Sequence, residues 1–500
     1  MKPLFICIAL IAGMLLTCCK PATQQGPSYR VESIALPPGL GGQVGGLDFL
    51  PDGRLAACFS SGEVMFYDPR KKTWQLFATG LHDPLGILAE DSSSILVMQR
   101  PELTRLKDSD GDGQADLYET VTDDFGISGN YHEFAYGPVK DSKGNLFIAL
   151  NSSSPNGGVM KTVRGPLNSL TMDHPKQMFS PVPYRGWIME YTPGGKLLPY
   201  ASGFRSPNGI GFDPEGNLFA TDNQGDWVPT SALYQIQKGK FYGHPASLAW
   251  EKGWDKGNPL KLSPAYLDSL RARPAVLFPH GIMANSPTQP LADNTGGKFG
   301  PFSGQLFVGE MNQARILRVM PEQIDGQWQG ACIPFFDGHG LHKGNNRLAF
   351  APDGSLWVGQ NNHGWAGDTG IQRIVFTGTA PMNILRMHLV PKGFVLSFTR
   401  PLDRAAADSA AHYQMRHYRY HYSSKYGSAQ FDVDTIPVTG IRLSRDRKKV
   451  MLTLDSIIPD MVYELTLTGI RSESGIPLSD SLICYTVNRT NPEKNDPDNF

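Results

Sequence analysis

The sequence predicts an all-β protein, a six-bladed β-propeller followed by a small β-sandwich, and three observations carry that prediction. Pairs of apolar, alternating strands joined by turns of the Pro-Asp-Gly type recur between about residues 30 and 378. Glycine and proline are abundant, 54 and 39 of 500 residues, as a turn-rich β fold requires. Beyond about Gly378 the recurring unit stops and shorter alternating stretches take over.

The repeat is the first element to justify. It is clearest in Gly209-Ile210-Gly211-Phe212-Asp213-Pro214-Glu215-Gly216-Asn217-Leu218-Phe219 and in Arg347-Leu348-Ala349-Phe350-Ala351-Pro352-Asp353-Gly354-Ser355-Leu356-Trp357. A further copy is Gly46 to Leu55, around Pro51-Asp52-Gly53. Weaker copies begin at Gly86, at Phe134 and at Gly304. Proline presets φ for the turn and glycine accepts positive φ. A hairpin with one apolar face cannot bury it alone, and repetition around an axis lets each sheet pack on the next. Six copies therefore predict six blades. The long intervals Asn151 to Gln177 and Leu248 to Pro274 read as loops that shape one mouth.

After the repeat, Phe394 to Phe398, Tyr418 to Tyr422, Val450 to Leu454 and Tyr463 to Leu467 read as strands of the sandwich. Tyr418-Arg419-Tyr420-His421-Tyr422 places three tyrosines on one face, which suits a packed strand better than an aromatic-basic binding stripe. The polar stretch 491–500 reads as a disordered tail.

The N-terminus is a targeting segment. Lys2 precedes an uncharged apolar run from Leu4 to Leu16, and Leu15-Leu16-Thr17-Cys18-Cys19 reads as a lipobox. The run is shorter than the roughly 20 residues a spanning helix needs. The expected layout is a lipoprotein signal peptide over residues 1–18, acylation at Cys18 (or Cys19), a tether over 19–29, the propeller over 30–378, the sandwich over 379–490 and the tail. The location implied is the bacterial cell envelope, periplasmic or surface-exposed, with the membrane as a partner through the N-terminal lipid. With 46 basic and 47 acidic side chains the net charge is −1, so no global field favours nucleic acid. The mature body retains Cys58, Cys332 and Cys484 without a C-x-x-C pair, which suits buried free thiols and gives no support to zinc ribbons or c-type haem attachment.

The sharpest local motif is Asp108-Ser109-Asp110-Gly111-Asp112-Gly113-Gln114-Ala115-Asp116-Leu117-Tyr118-Glu119. Asp108, Asp110 and Asp112 stand at alternate positions. Gly113 follows for the turn, Gln114 offers a carbonyl, and Asp116 and Glu119 complete a twelve-residue calcium loop. The flanking residues lack helical pattern, so the loop reads as a structural insert. A second set of polar residues sits at strand edges: His132, Arg205, Asn208, Asp222, Asn223, Asp226, His280, Glu310, Asn312, Asn345, Asn346, Arg347, Asn361, Asn362 and His363. Residues at equivalent edges of different blades converge at one mouth. A histidine beside an arginine and several amides can take a proton while the arginine steadies developing negative charge.

Tyr131-His132-Glu133-Phe134-Ala135-Tyr136-Gly137-Pro138 and Phe204-Arg205-Ser206-Pro207-Asn208-Gly209-Ile210, the latter with Thr221-Asp222-Asn223, resemble the His and Arg-Asn blades of the glucose/sorbosone dehydrogenases. Gln99 to Leu106, the calcium loop and Asp222 to Trp227 resemble the membrane-bound dehydrogenase propellers of planctomycetes and Bacteroidetes. Thr466 to Leu478 resembles the Ig-like modules of bacterial surface proteins. The first resemblance implies a pyrroloquinoline quinone (PQQ)-dependent dehydrogenase acting on a sugar or polyol. His132 would be the general base, Arg205 and Asn208 would bind and polarise the quinone, and Arg347 would hold cofactor carboxylates. Tyr131 stands where that family often has an acidic residue. Without a haem motif, electrons would pass to a separate acceptor. Two other functions fit the same residues. One is a metal-assisted lactonase or lyase using Asp222, Asp226, Glu310, His280 and His363. The other is a non-catalytic carbohydrate-binding surface protein using Trp227, Trp250, Trp254 and Trp365.

Overall fold

The structure, a computed structural model, describes residues 27–159, 163–173, 176–364 and 367–490. The signal peptide, Cys18, Cys19, most of the tether, Trp365 and the tail over 491–500 lie outside the described residues. No helix among the described residues is long and apolar enough to cross a membrane.

Antiparallel four-stranded sheets dominate. The first strands of five of them are Val44–Phe49, Gly86–Ala89, Ala135–Lys140, Gly209–Phe212 and Asn345–Phe350, and Pro287–Ala292 begins a longer, eight-stranded sheet. Taken in chain order, each of these strands touches the next, and the last touches the first, so the sheets surround an axis as in a β-propeller. The ring is closed by Tyr29–Ile34, which pairs with Gly370–Phe376 as the outer strand of the last sheet.

Sequence explains why the first strands can come so close. A Cβ on Gly45 would lie 1.7 Å from the Pro84 carbonyl oxygen, and one on Gly86 would lie 1.6 Å from that of Gly137. Only glycine lets the backbones meet at the axis. The turns form as their composition dictates: Gly53 and Gly354 hold φ near +89° and +88°, and Leu50 N–H donates to Arg54 O at 2.8 Å. Apolar side chains of each sheet then pack on the neighbouring sheet, as Phe66 and Val97 do between the first two.

The C-terminal region is a face-to-face pair of sheets. Ile384–Val390, Gly393–Phe398, Lys449–Thr453 and Gly440–Leu443 form one. Tyr413–Arg419, Phe431–Ile436, Met461–Leu467 and Leu482–Val487 belong to the other. Phe394, Leu396, Val450, Tyr463, Leu465 and Tyr485 share the core between them. The second sheet is not separate from the ring. Gly330, Ala331 and Cys332, on the outer strand of the fifth propeller sheet, pair with Thr486, Tyr485 and Cys484. One eight-stranded sheet thus runs from the axis into the sandwich. Cys58, Cys332 and Cys484 are buried free thiols.

One local expectation needs correction. The strand read over Tyr418 to Tyr422 runs instead over Tyr413–Arg419. A register shift between His417 and Arg419 ends it. Tyr418 is buried as expected, whereas Tyr422 has left the sheet and packs against Trp227 with ring centroids 5.3 Å apart.

Candidate functional site

A cavity of about 610 Å³ opens at one mouth of the ring. Its lining includes His132, Arg205, Asn208, Asn223, His280, Asn312 and His363, together with Tyr131, Phe134, Tyr136 and Tyr426. The strand-edge residues of different sheets therefore do converge, and His132, Arg205 and Asn208 share one space.

His132 is held from both ends. Its backbone N–H donates to Asn130 Oδ1 at 3.1 Å, and its ring Nδ1 lies 2.9 Å from the Ser152 carbonyl oxygen. A carbonyl only accepts, so Nδ1 carries the proton and Nε2 carries the lone pair. Burial, with the Arg205 charge behind it, pulls the imidazole from 6.5 to about 4. It is therefore a neutral acceptor at ordinary pH. The segment that positions it rests on Glu133, whose buried carboxylate accepts from Ser128 N–H at 2.7 Å and Ser153 Oγ at 2.6 Å. Arg185, also buried, donates to the carbonyls of Gly126 and Glu133. Phe134 lies between His132 and a second imidazole, that of His363, with centroids 5.6 and 5.3 Å away. Burial lowers His363 to about 4 as well, and lowers His280.

Arg205 is fixed by two carboxylates. Its backbone N–H donates to Asp222 at 2.8 Å and its Nε to Asp226 at 3.0 Å. Asp226 also meets His244 Nε2 at 3.0 Å and accepts from Met178 N–H at 2.8 Å. Burial alone would raise Asp226, but His244 and Arg205 outweigh it and hold the carboxyl well below the usual range. Asp222, buried and bonded only to backbone amides, is pushed up to about 6. The guanidinium terminus of Arg205 makes no protein hydrogen bond among the described residues and is left to the cavity. Gly225 makes room for it, since a Cβ there would stand 1.9 Å from Arg205 Nε. Asn208 is buried, its amide nitrogen 3.3 Å from Met311 Sδ, and its Oδ1 has no partner among the described residues.

Arg347, expected at the mouth, is not among the lining residues of this cavity. Its Nε donates to Gly45 O at 3.0 Å and Nη2 to Leu85 O at 3.0 Å, while Nη1 donates to the carbonyls of Asn208 and Asn346. It spans the axis under Tyr136, whose ring centroid is 4.9 Å from the guanidinium carbon. The strand register shifts between Asn345 and Arg347, and the Arg347 guanidinium lies among the carbonyls at the axis. Most of its five N–H donors are thus spent on carbonyls of the ring.

The ligand set expected for a channel metal does not assemble. Glu310 accepts from the amides of Asn285, Ser286 and Gln313, and Asp222 and Asp226 are engaged as above. Among the described residues, the His/Cys/Asp/Glu group that could hold a cation is Asp108, Asp110 and Asp116, with ligand atoms within 4.8 Å of one another. Within the loop, Gly111 and Gly113 N–H donate to Asp108, and Gln114 N–H to Asp112. Glu119, expected as a bidentate ligand, instead lies in the strand Leu117–Thr122 opposite Arg105 and pairs with it at 2.7 Å. The loop joins the outer strands of the second sheet and is not part of the cavity lining.

Of the four tryptophans considered for sugar stacking, the three within the described residues have their indole N–H groups engaged elsewhere. Trp227 is buried with its indole N–H on Gln177, and those of Trp250 and Trp254 donate to Ser180 O and Gly257 O. The lining aromatics are tyrosines and a phenylalanine. Tyr426, from the C-terminal region, had no local sequence mark.

A domain of unknown function (DUF7133) matches residues 67–253. No curated protein matches the chain. Among solved structures it is similar to an oxidoreductase (glucose dehydrogenase) from Thermus thermophilus, at 20% identity and TM-score 0.48 over 69% of this chain and 100% of that one. It is also similar to the PQQ-bound aldose sugar dehydrogenase of Streptomyces coelicolor, at 18% and 0.46 over 70% and 99%. A third similar structure is the soluble aldose sugar dehydrogenase of Escherichia coli in its apo form, at 17% and 0.45 over 70% and 99%.

Proposed function

We propose that the mouth cavity oxidises a sugar or polyol in the manner of a PQQ-dependent dehydrogenase, and that the protein is a lipid-anchored envelope protein built of a six-bladed propeller over 30–378 and an Ig-like sandwich over 379–490. The observation that carries the catalytic part is His132: a neutral imidazole, Nδ1 tied to a carbonyl, Nε2 free to accept, in one cavity with an arginine whose terminal nitrogens make no protein hydrogen bond among the described residues.

The residues present fit the group in three respects. A space of about 610 Å³ accommodates a planar tricyclic molecule and a monosaccharide together, being well inside the range of ligand pockets. Arg205 offers a rigid, permanently charged fork for carboxylate or quinone oxygens. The unpartnered Asn208 Oδ1 asks for a hydroxyl or N–H donor. When bound, the quinone would supply a two-electron acceptor for the hydride of a carbinol carbon. His132 Nε2 takes the hydroxyl proton of that same carbon, its basicity kept low enough by burial for the proton to leave again. Arg205 orients the acceptor, and Phe134 and Tyr136 form an apolar wall that limits water beside His132. A separate electron acceptor would be needed to take up the two electrons. We place calcium, as a structural ion, in the loop of Asp108, Asp110, Asp112, Gln114 and Asp116.

Absorbance titration of the purified protein with PQQ tests the reading. Saturable binding that weakens at least tenfold in Arg205→Ala is expected. Equal binding by the wild type and Arg205→Ala would remove Arg205 from the site, and no binding by the wild type would remove the quinone.

A further inference from the structure

The C-terminal sandwich reaches the mouth. Between its strands Tyr413–Arg419 and Phe431–Ile436, the chain leaves the sheet and lies along residues 225–229 of the ring. Trp227 N–H donates to Ser423 O at 3.0 Å, Gly427 N–H to Gly225 O at 3.0 Å and Ser428 N–H to Pro229 O at 2.9 Å. Tyr422 Oη donates to Gly243 O, and Asp226 and Tyr426 form an isolated β-bridge. Gly427 holds φ near +65°, and a Cβ there would stand 2.9 Å from the Gln224 side chain. The backbone around Tyr426 is thus fixed on both sides by the segment that carries Asp226, the partner of Arg205.

The side chain of Tyr426 is used quite differently from its backbone. It is 71% exposed, more than any other large apolar side chain described. Its hydroxyl has no protein partner among the described residues. Its ring centroid is 5.3 Å from the Arg205 guanidinium carbon, within cation–π range, and it lines the cavity. Tyr131, the other exposed tyrosine of the lining, differs in that its hydroxyl is tied to Ser154 Oγ at 3.0 Å. An aromatic face held rigidly in water beside a binding cavity is an unfilled contact. The C–H face of a pyranose or an extended polyol matches it, and the phenol tip suits the hydroxyls at the edge of such a ligand.

We propose that Tyr426 is a substrate-contacting residue of the mouth cavity, a stacking face for a pyranose or polyol that the C-terminal sandwich delivers to the propeller. The sandwich therefore completes the site instead of serving as a spacer. This rests on the sugar-oxidation reading above.

The test compares wild type, Tyr426→Ala and Tyr426→Phe. Saturation-transfer NMR measures binding of D-glucose, D-mannose, D-xylose and glycerol without added quinone, and dye reduction with PQQ and calcium measures KM and kcat. Tyr426→Ala should weaken binding of the preferred sugar and raise its KM about tenfold, as loss of one stacking face implies, with kcat within about twofold. Tyr426→Phe should restore binding, and thermal unfolding should be alike in all three. A wild type that binds sugar while Tyr426→Ala binds it equally well overturns the role of Tyr426 and leaves the dehydrogenase reading standing. A wild type that neither binds nor oxidises any of the four overturns both.

Discussion

His132 should make the protein acid-sensitive by a calculable amount. Its imidazole is held at about 4 in the folded chain against 6.5 when unfolded. Above pH 6.5 both states are neutral and the group contributes nothing. As pH falls from 6.5 to 4 the unfolded chain takes up a proton that the folded chain refuses, so stability drops. Below about 4 both states are charged and the penalty is complete. Each tenfold loss of proton affinity on folding corresponds to about 1.4 kcal/mol, so the full loss is roughly 3 kcal/mol. At about 2.1 cal/mol/K of unfolding entropy per residue, a chain of 500 residues converts that to roughly 3 °C in Tm. The variant His132→Gln keeps an N–H donor for Ser152 O but cannot titrate. Thermal unfolding of both proteins in steps from pH 7.5 to 4 should show the Tm difference move by about 3 °C in favour of the variant. His363, lowered in the same direction, is present in both and cancels. Parallel curves across that range would refute the account of a base held neutral by burial.

Further outcomes follow from other parts of the molecule. Calorimetry of chelator-treated protein should show uptake of one calcium ion, abolished in Asp108→Ala and retained in Glu119→Gln, because Glu119 is committed to Arg105; loss of binding in Glu119→Gln would mean that Glu119 swings into the loop. Gly225→Ala places a Cβ 1.9 Å from Arg205 Nε and should displace the guanidinium, so quinone affinity should fall at least tenfold with little change in far-ultraviolet circular dichroism. Unchanged affinity would show that Arg205 does not need its present position.

Much of this was legible in the sequence because it depends on local chemistry. The Pro-Asp-Gly turns, the glycine-bearing first strands and the acidic loop each follow from a few adjacent residues. His132, Arg205 and Asn208 meet because each stands just before a first strand, and first strands face the same axis. What was not legible depends on longer-range geometry. Arg347 lies inside its first strand, Asn345–Phe350, and not before it, and a difference of two or three positions at a strand's start leaves no mark in composition. Glu119 matches the last position of a calcium loop, yet strand pairing with Arg105 claims it. The sandwich reads as an independent unit because periodicity does not name the partner of an edge strand; Cys484 and its neighbours found theirs on the ring. Tyr426 lies more than two hundred residues from Arg205 in sequence and reaches it only through that docking.

The central claim is that the mouth cavity is a quinone-dependent dehydrogenase site with His132 as its base. Dye reduction by the soluble protein, supplied with PQQ and calcium across a panel of sugars and polyols, tests it most directly when His132→Ala is run beside the wild type. The account predicts turnover that requires added quinone and falls at least a hundredfold in His132→Ala, the scale on which general bases act. Quinone-dependent turnover that survives intact in His132→Ala, or none in the wild type with any substrate of the panel, would contradict it.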